Sequence, residues 1–272
     1  MPNWDSNFMN VKSKGNNVKN VLRFIKENFS TMKVQNEPEE YIYILDFEKY
    51  LPTPLDEKGE IIEDWYDWRI TNWGCKWSPC SEQHIFLNVK VKDCDLEIFE
   101  NGVCGRPQEG YEFNEELIDK LLERNDIEEI ELNVTFETPW CPPFAIIKYW
   151  FEDYKNEKQI DELKNKYYEP GCCFAGIVGF DRDKDENTLI DIYHEGWINE
   201  EYTKFLIEED LETIDYYVEM VMDLIEEMHK KDGKEFITNM QNKVNEALIN
   251  PEAPLELKVK LITEIQEKYS NR

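Results

Sequence analysis

Residues 65–77, WYDWRITNWGCKW, hold four of the chain's eight tryptophans together with one Asp, one Arg, one Lys and one Asn. Indole faces stack on bases and cations, a guanidinium fork suits phosphate or carboxylate, and Asp67, Asn72 and Lys76 add directional polar contacts. Trp65, Asp67, Trp68, Arg69, Asn72, Trp73, Lys76 and Trp77 are therefore candidate ligand contacts, joined by Trp140 of FETPWCPP (136–143) and Glu169 of YYEPGCCFAG (167–176). The competing expectation is structural. Trp68 and Trp73 pack under a sheet and Asp67 to Arg69 tie a packed loop together, with one or two indoles left exposed. Glu169 has the same alternative, since EPG is turn chemistry entering a glycine-spaced strand.

Other chemistry finds little material. None of the three histidines, His84, His194 and His229, stands at a catalytic or metal-binding spacing. CKWSPC puts Cys75 and Cys80 near each other, and Cys141, Cys172 and Cys173 could complete a zinc site, yet no CxxC pair exists. Seven cysteines, an odd number, suit reduced, buried thiols. DRDKDENTLID (181–191) has the composition of a calcium loop but lacks Gly at the sixth position and Glu at the twelfth, so a solvated hairpin turn is expected. The expectation is a protein without catalytic residues, metal or cofactor.

Charge separates classes of partner. Fifty-nine acidic residues against 31 basic give a net charge of −28. Such a field repels duplex nucleic acid and anionic lipid over a Debye length of about 8 Å, and attracts a basic protein surface. Residues 200–229 hold eleven acids and one lysine, with Asp215, Glu219, Asp223 and Glu227 at successive i, i+4 positions and Glu208 and Glu212 before them. Like charges so spaced cost roughly 0.2–0.5 kcal/mol each in a helix. Either this is a solvated face, or it is a ladder of negative charge imitating a phosphate backbone.

The elements that must position these residues follow from periodicity. FMNVKS, EYIYILDF (40–47), HIFLNVKV (84–91), EEIELNVTFE (128–137), CCFAGIVGF (172–180) and TLIDIYHE (188–195) read as strands. NNVKNVLRFIKENF, NEELIDKLLERN (114–125) and PPFAIIKYWFEDYKN read as helices, the last opening on prolines suited to a first turn. The interleaving predicts an α+β fold, helices on one face of an antiparallel sheet, over residues 1–197. From about residue 200 the pattern is purely helical, broken at KDGK (231–234) and NPEAP (250–254), which predicts a helical C-terminal unit over 200–272. No run of 18 apolar residues and no secretion signal are present, and the expected location is the cytoplasm.

MPNWDSN, WYDWRITNWGCKW, FETPWCPP and YYEPGCCFAG occur in this order, and together they resemble the YubB ferredoxin-like domain family, small proteins of phages, plasmids and other mobile elements. The resemblance covers about residues 1–195 and implies a ferredoxin-like α/β sandwich. Asp5 stands where the family pattern leads one to expect Cys, Cys172-Cys173 replaces a Met-Gly type pair, and the chain after 200 lies outside it. Joined to the charge, it leads to the expectation of a non-enzymatic inhibitor of a bacterial nucleic-acid-targeting defence complex, anti-CRISPR-like, acting in the host cytoplasm. Its partner is then a host-defence protein with a basic surface. The alternative is a module that captures a nucleotide or single-stranded nucleic acid on the tryptophan-rich stretch.

Overall fold

The computed structural model describes residues 3–33, 41–79, 83–92, 96–100, 113–169, 174–184, 186–193, 200–209, 242–250 and 252–270. The chain divides into two compact units, Met1–Glu169 with Gly176–Ile190, and Pro170–Ala175 with Asp191–Arg272.

The first unit is a mixed α/β structure built on an antiparallel sheet. The strands of the described residues are β1 (Trp4–Lys14), β2 (Phe29–Lys33), β3 (Tyr41–Leu45), β4 (His84–Val91), β5 (Leu96–Glu100), β6 (Ile127–Pro139), β7 (Glu162–Glu169), β8 (Phe174–Asp181) and β9 (Glu186–Tyr193). Seven of them form one sheet in the order β5-β4-β6-β1-β7-β8-β9, while β2 and β3 pair separately. Every pairing among β5, β4, β6, β1 and β7 is antiparallel.

Period-two patterning assigns the two faces. Met9 faces Val134 and Asn165 across its two neighbours, and Val11 faces Leu132 and Leu163. Ile85, Leu87 and Val89 of β4 extend these rows, and all these apolar side chains are buried. The opposite face is polar: Asn10 donates to Glu131 and Asn133, each at 2.8 Å, and Lys12 pairs with Glu129 at 2.6 Å.

Helix α1 (Val18–Asn28) covers the apolar face with Val21, Leu22, Phe24 and Ile25, spaced three and four apart. Helix α2 (Phe47–Tyr50) starts at Asp46, whose side chain accepts from Glu48 N at 3.0 Å. It is followed by α3 (Trp65–Asn72) and by α4 (Glu115–Glu123), where Asn114 accepts from Leu117 N at 2.9 Å. Helix α5 (Phe144–Trp150) follows Pro142 and Pro143 and continues into wide π-type turns over Phe151–Glu157. Phe24 meets Trp150 edge-on at 5.4 Å, and Phe47 meets Trp150 at 5.9 Å and Phe136 at 6.2 Å, so α1, α2 and α5 share one side of the sheet.

The second unit contains α6 (Glu200–Glu208), a π-type turn over Asn245–Ile249, and α7 (Leu255–Ser270). No helix among the described residues is long and apolar enough to cross a membrane.

The structure differs from the sequence expectations at several points. WYDWRITNWGCKW, expected as a packed loop, folds as α3 up to Asn72: Trp68 N donates to Asp64 O at 3.0 Å, and Trp73 N to Arg69 O at 2.7 Å. The run at 40–47 is strand only to Leu45, because Asp46 caps the next helix. The run at 172–180 is strand from Phe174 to Asp181. Strands β2, β5 and β7 were not expected. In β7, Asn165 and Glu169 occupy inward positions beside Leu163 and Tyr167, which breaks the apolar alternation that would mark a strand.

Candidate functional site

Four stretches far apart in sequence meet at one end of this sheet. The start of β1 supplies Asp5 and Asn7, the end of β6 supplies Thr138, and β7 supplies Asn165 and Glu169, all buried on the helix-covered face. Register explains the meeting: Asp5 lies opposite Thr138 on β6, and Asn7 lies between Phe136 on β6 and Tyr167 on β7. The segment after α3 closes on the same place. Cys141 donates its thiol to Gly74 O at 2.8 Å, and Cys75 donates to Trp77 O at 3.3 Å.

A hydrogen-bonded chain runs across the three strands. Asn165 Nδ2 donates to Asn7 Oδ1 at 2.8 Å, and Asn7 Nδ2 lies 2.9 Å from both Asp5 Oδ2 and Thr138 Oγ1. The Thr138 hydroxyl donates to Cys141 O at 2.9 Å. Asp5 Oδ1 and Asn165 Oδ1, both buried, have no hydrogen-bond partner. Buried polar atoms are nearly always paired, so two orphaned acceptors on one short chain set this cluster apart from ordinary core.

Burial pushes the Asp5 carboxyl up to about 8, against the hydrogen bond from Asn7 and the dipole of the nearby Thr138 hydroxyl, and the charge of nearby Glu169 adds to the rise. At neutral pH this group is therefore mostly the neutral acid. Burial likewise raises both thiols, Cys75 and Cys141, leaving them protonated and weakly nucleophilic.

The backbone around the cluster is constrained. Gly74 has φ +89, and a Cβ there would lie 2.8 Å from Phe144 N, so only glycine lets this turn close on α5. Trp140 holds φ +75, a left-handed conformation unusual for a bulky residue. Its N–H donates to Asn3 O at 2.9 Å, and its indole is 53% exposed. Trp4 and Trp77 are each 38% exposed. Three indoles thus reach solvent from the segments that carry Asp5, Cys75 and Cys141.

The tryptophan-rich stretch splits between inside and outside. Trp73 is fully buried, its Nε1 donating to Leu51 O at 2.9 Å. Trp65 and Trp68 are half-buried, and Trp68 meets Trp73 edge-on at 6.0 Å. The Arg69 guanidinium lies over Trp65 and Trp73, 5.0 and 4.7 Å from the ring centroids, and bonds Glu48 at 2.6 Å and Thr53 at 2.9 Å. Its fork is directed at the protein's own groups. Asn72 donates to Trp68 O at 2.8 Å. Asp67 is exposed, as is Trp77, and the Lys76 ammonium sits over the rings of Trp77 at 4.3 Å and Tyr66 at 5.9 Å.

Of the acidic row, Glu208 is exposed on α6 with Lys204 at 3.6 Å, and Glu212, Asp215, Glu219, Asp223 and Glu227 lie outside the described residues, as do Cys80, Cys172 and Cys173. Among the described residues no group of three or more His, Cys, Asp or Glu is arranged to hold a metal ion. The expected hairpin turn of DRDKDENTLID joins β8 to β9, with Asp181 accepting from Asp183 N at 3.1 Å and Lys184 N at 3.3 Å.

Sequence reasoning did not nominate Asp5, Asn7, Thr138 or Asn165. The one available signal was that three of them fall inside or beside the conspicuous motifs, Asp5 at a position already noted as a departure from the YubB pattern. No family model, curated protein or solved structure matches the chain.

Proposed function

We propose that this chain is a non-enzymatic binding protein whose recognition site is the end of the sheet where the four motifs meet. Its partner in this reading is a basic protein of a bacterial nucleic-acid-targeting defence complex, inhibited in the manner of an anti-CRISPR. The observation that carries the proposal is the convergence itself. Residues some 130 to 165 positions apart in sequence build one cluster with an orphaned buried carboxyl oxygen, and the segments that carry it also hold the exposed indoles of Trp4, Trp77 and Trp140. Core packing alone requires neither, and exposed aromatics beside buried polar groups are what recognition sites use. The net charge of −28 favours a cationic partner. The motifs' resemblance to the YubB family supports a phage or mobile-element origin.

The same reading takes the core as ferredoxin-like. β1–α1–β4 and β6–α5–β7 are two β-α-β units interleaved as β4-β6-β1-β7, with β2, β3, α2 and α3 inserted in the first unit and β5 and α4 between the two.

One observation favours a second reading, a nucleotide or single-stranded nucleic-acid site: Lys76 lies over Trp77 and Tyr66, a cation beside exposed rings. Affinity capture from bacterial lysate, followed by titration of the purified captured protein, decides between the two when run beside a nucleotide-binding screen. A saturable complex with a basic protein supports the first reading. Nucleotide binding without such a complex overturns it in favour of the second.

A further inference from the structure

We infer that the outer face of α3, with the hairpin that precedes it, docks a basic amphipathic helix of the partner, apolar on one side and flanked by Lys or Arg. This rests on the reading of the chain as a binder of a basic protein, and it names the surface and the kind of segment it takes.

The apolar part is built from one ordered stretch. Leu55 and Ile61 stand opposite each other across an antiparallel bridge, 60% and 52% exposed. The turn between them is held by its own groups: Asp56 Oδ1 accepts from Lys58 N at 2.8 Å and from Glu60 N at 2.9 Å, and Gly59 takes φ +79. Ile62 N donates to Pro54 O at 3.3 Å and Trp65 N to Ile62 O at 3.2 Å, so the hairpin runs directly into α3. On α3, Tyr66 and Ile70 lie one turn apart on one face, and both are exposed. The Lys76 ammonium sits over the rings of Tyr66 and Trp77, which brings the exposed Trp77 to the same helix.

Packing does not account for these side chains. Helix α3 has no fully buried residue, and its packing is carried by Trp68 against Trp73 and by the Arg69 guanidinium over Trp65 and Trp73. Leu55, Ile61, Tyr66, Ile70 and Trp77 remain in solvent. Single exposed hydrophobic residues are ordinary, whereas several on one short ordered segment mark an interaction surface.

Charge selects the occupant. Residues 55–70 hold Asp56, Glu57, Glu60, Glu63, Asp64 and Asp67 against Lys58 and Arg69, and all six acids are exposed. Arg69 is bonded to Glu48, while the carboxylates of Glu57, Glu60, Glu63, Asp64 and Asp67 make no hydrogen bond or ion pair among the described residues. Spare carboxylates interleaved with apolar side chains repel nucleic acid and acidic peptides and attract Lys and Arg. The Tyr66–Ile70 ridge has the i, i+4 spacing against which a second helix packs its own apolar row.

The test is calorimetric titration of the full chain with an amphipathic helical peptide of Leu and Lys. The control is a peptide of the same composition with Leu and Lys scrambled out of helical period. Saturable binding of one peptide per chain, at least tenfold tighter than the scrambled control, supports the inference. Tyr66→Ala/Ile70→Ala and, separately, Glu63→Lys/Asp67→Lys should each lose at least tenfold in affinity. Leu189→Ala, which removes an exposed apolar side chain from β9, should leave it unchanged. Thermal melts confirm that the variants are folded, as expected for exposed positions. Equal binding of the scrambled peptide shows attraction by net charge alone and overturns the inference. Unchanged affinity in either double variant, or no binding of the amphipathic peptide, overturns it too. If the partner complex itself survives in folded Tyr66→Ala/Ile70→Ala, this docking face fails while the proposed function stands.

Discussion

Asn7 and Asp5, two residues apart on the inward face of β1, share a 2.9 Å hydrogen bond from amide to carboxyl in a fully buried setting. That bond opposes the rise of the Asp5 carboxyl without cancelling it, because burial of a negative charge outweighs one neutral donor. The result is a carboxyl held near 8, a shift set by burial against β6 and β7 rather than by its neighbours in sequence.

A stability consequence follows from the direction of this shift. The folded carboxyl lies near 8 and the unfolded one near 3.8, so the stability Asp5 contributes is complete below pH 3.8 and is lost as pH rises towards 8. The slope from this one group is about 1.4 kcal/mol per pH unit over that window. Asp5→Asn removes the titration. Chemical unfolding of both proteins at pH 5, 6, 7 and 8 should show the wild type losing stability relative to the variant at each step, and parallel curves would contradict the assignment.

Tryptophans of the same motifs divide by burial. Trp73→Ala removes a fully buried indole and its bond to Leu51 O, with an expected cost of about 3–5 kcal/mol. Trp77→Ala and Trp140→Ala remove exposed rings, and each is expected to change stability by less than about 1 kcal/mol. Thermal melts of the three variants check this, and comparable losses at all three positions would mean that the outer indoles are packed.

How much of this was legible in the sequence depends on the kind of signal. Helix α1 announced itself through Val18, Val21, Leu22 and Ile25, and β4 and β6 through unbroken alternation, since apolar burial leaves a periodic trace. Strand β7 left none, because Asn165 and Glu169 face inward. The same polar residues that hid the strand belong to the candidate site. The tryptophan motif drew attention to the end of the sheet that holds the buried polar cluster but not to Asp5, Asn7, Thr138 or Asn165. Trp73 and Arg69 are taken up by packing, while Asp5 and Asn7 draw their character from strands 130 to 160 residues away, a pairing no local pattern encodes.

Arg69 supplies a sharper contrast. Its guanidinium is stacked over two indoles and bonded to Glu48 and Thr53, with most of its side chain covered. Arg69→Ala is expected to destabilise by about 1–3 kcal/mol, and Arg69→Lys to recover only part of this, because an ammonium keeps the charge and loses the planar fork. Urea unfolding of the pair against wild type measures it. A stability change within about 0.5 kcal/mol for Arg69→Ala would show the fork to be spare and available to a ligand.

The acidic row of the C-terminal unit is tested by charge reversal. If Asp215, Glu219, Asp223 and Glu227 form part of the surface for a basic partner, replacing all four with Lys turns each attraction into a repulsion and abolishes the complex. Neutral Gln at the four positions should weaken it less, and salt should weaken the wild-type complex progressively. Unchanged affinity of a folded Lys variant would identify the row as a solvated face.

The central claim, that the end of the sheet carrying Asp5 is the recognition site, is tested most directly by the affinity of the purified partner for wild type and for Trp77→Ala/Trp140→Ala. Both indoles are exposed, so the double variant should fold with a melting temperature close to wild type. The account predicts at least a tenfold loss of affinity in this folded variant, and an unchanged dissociation constant would contradict it.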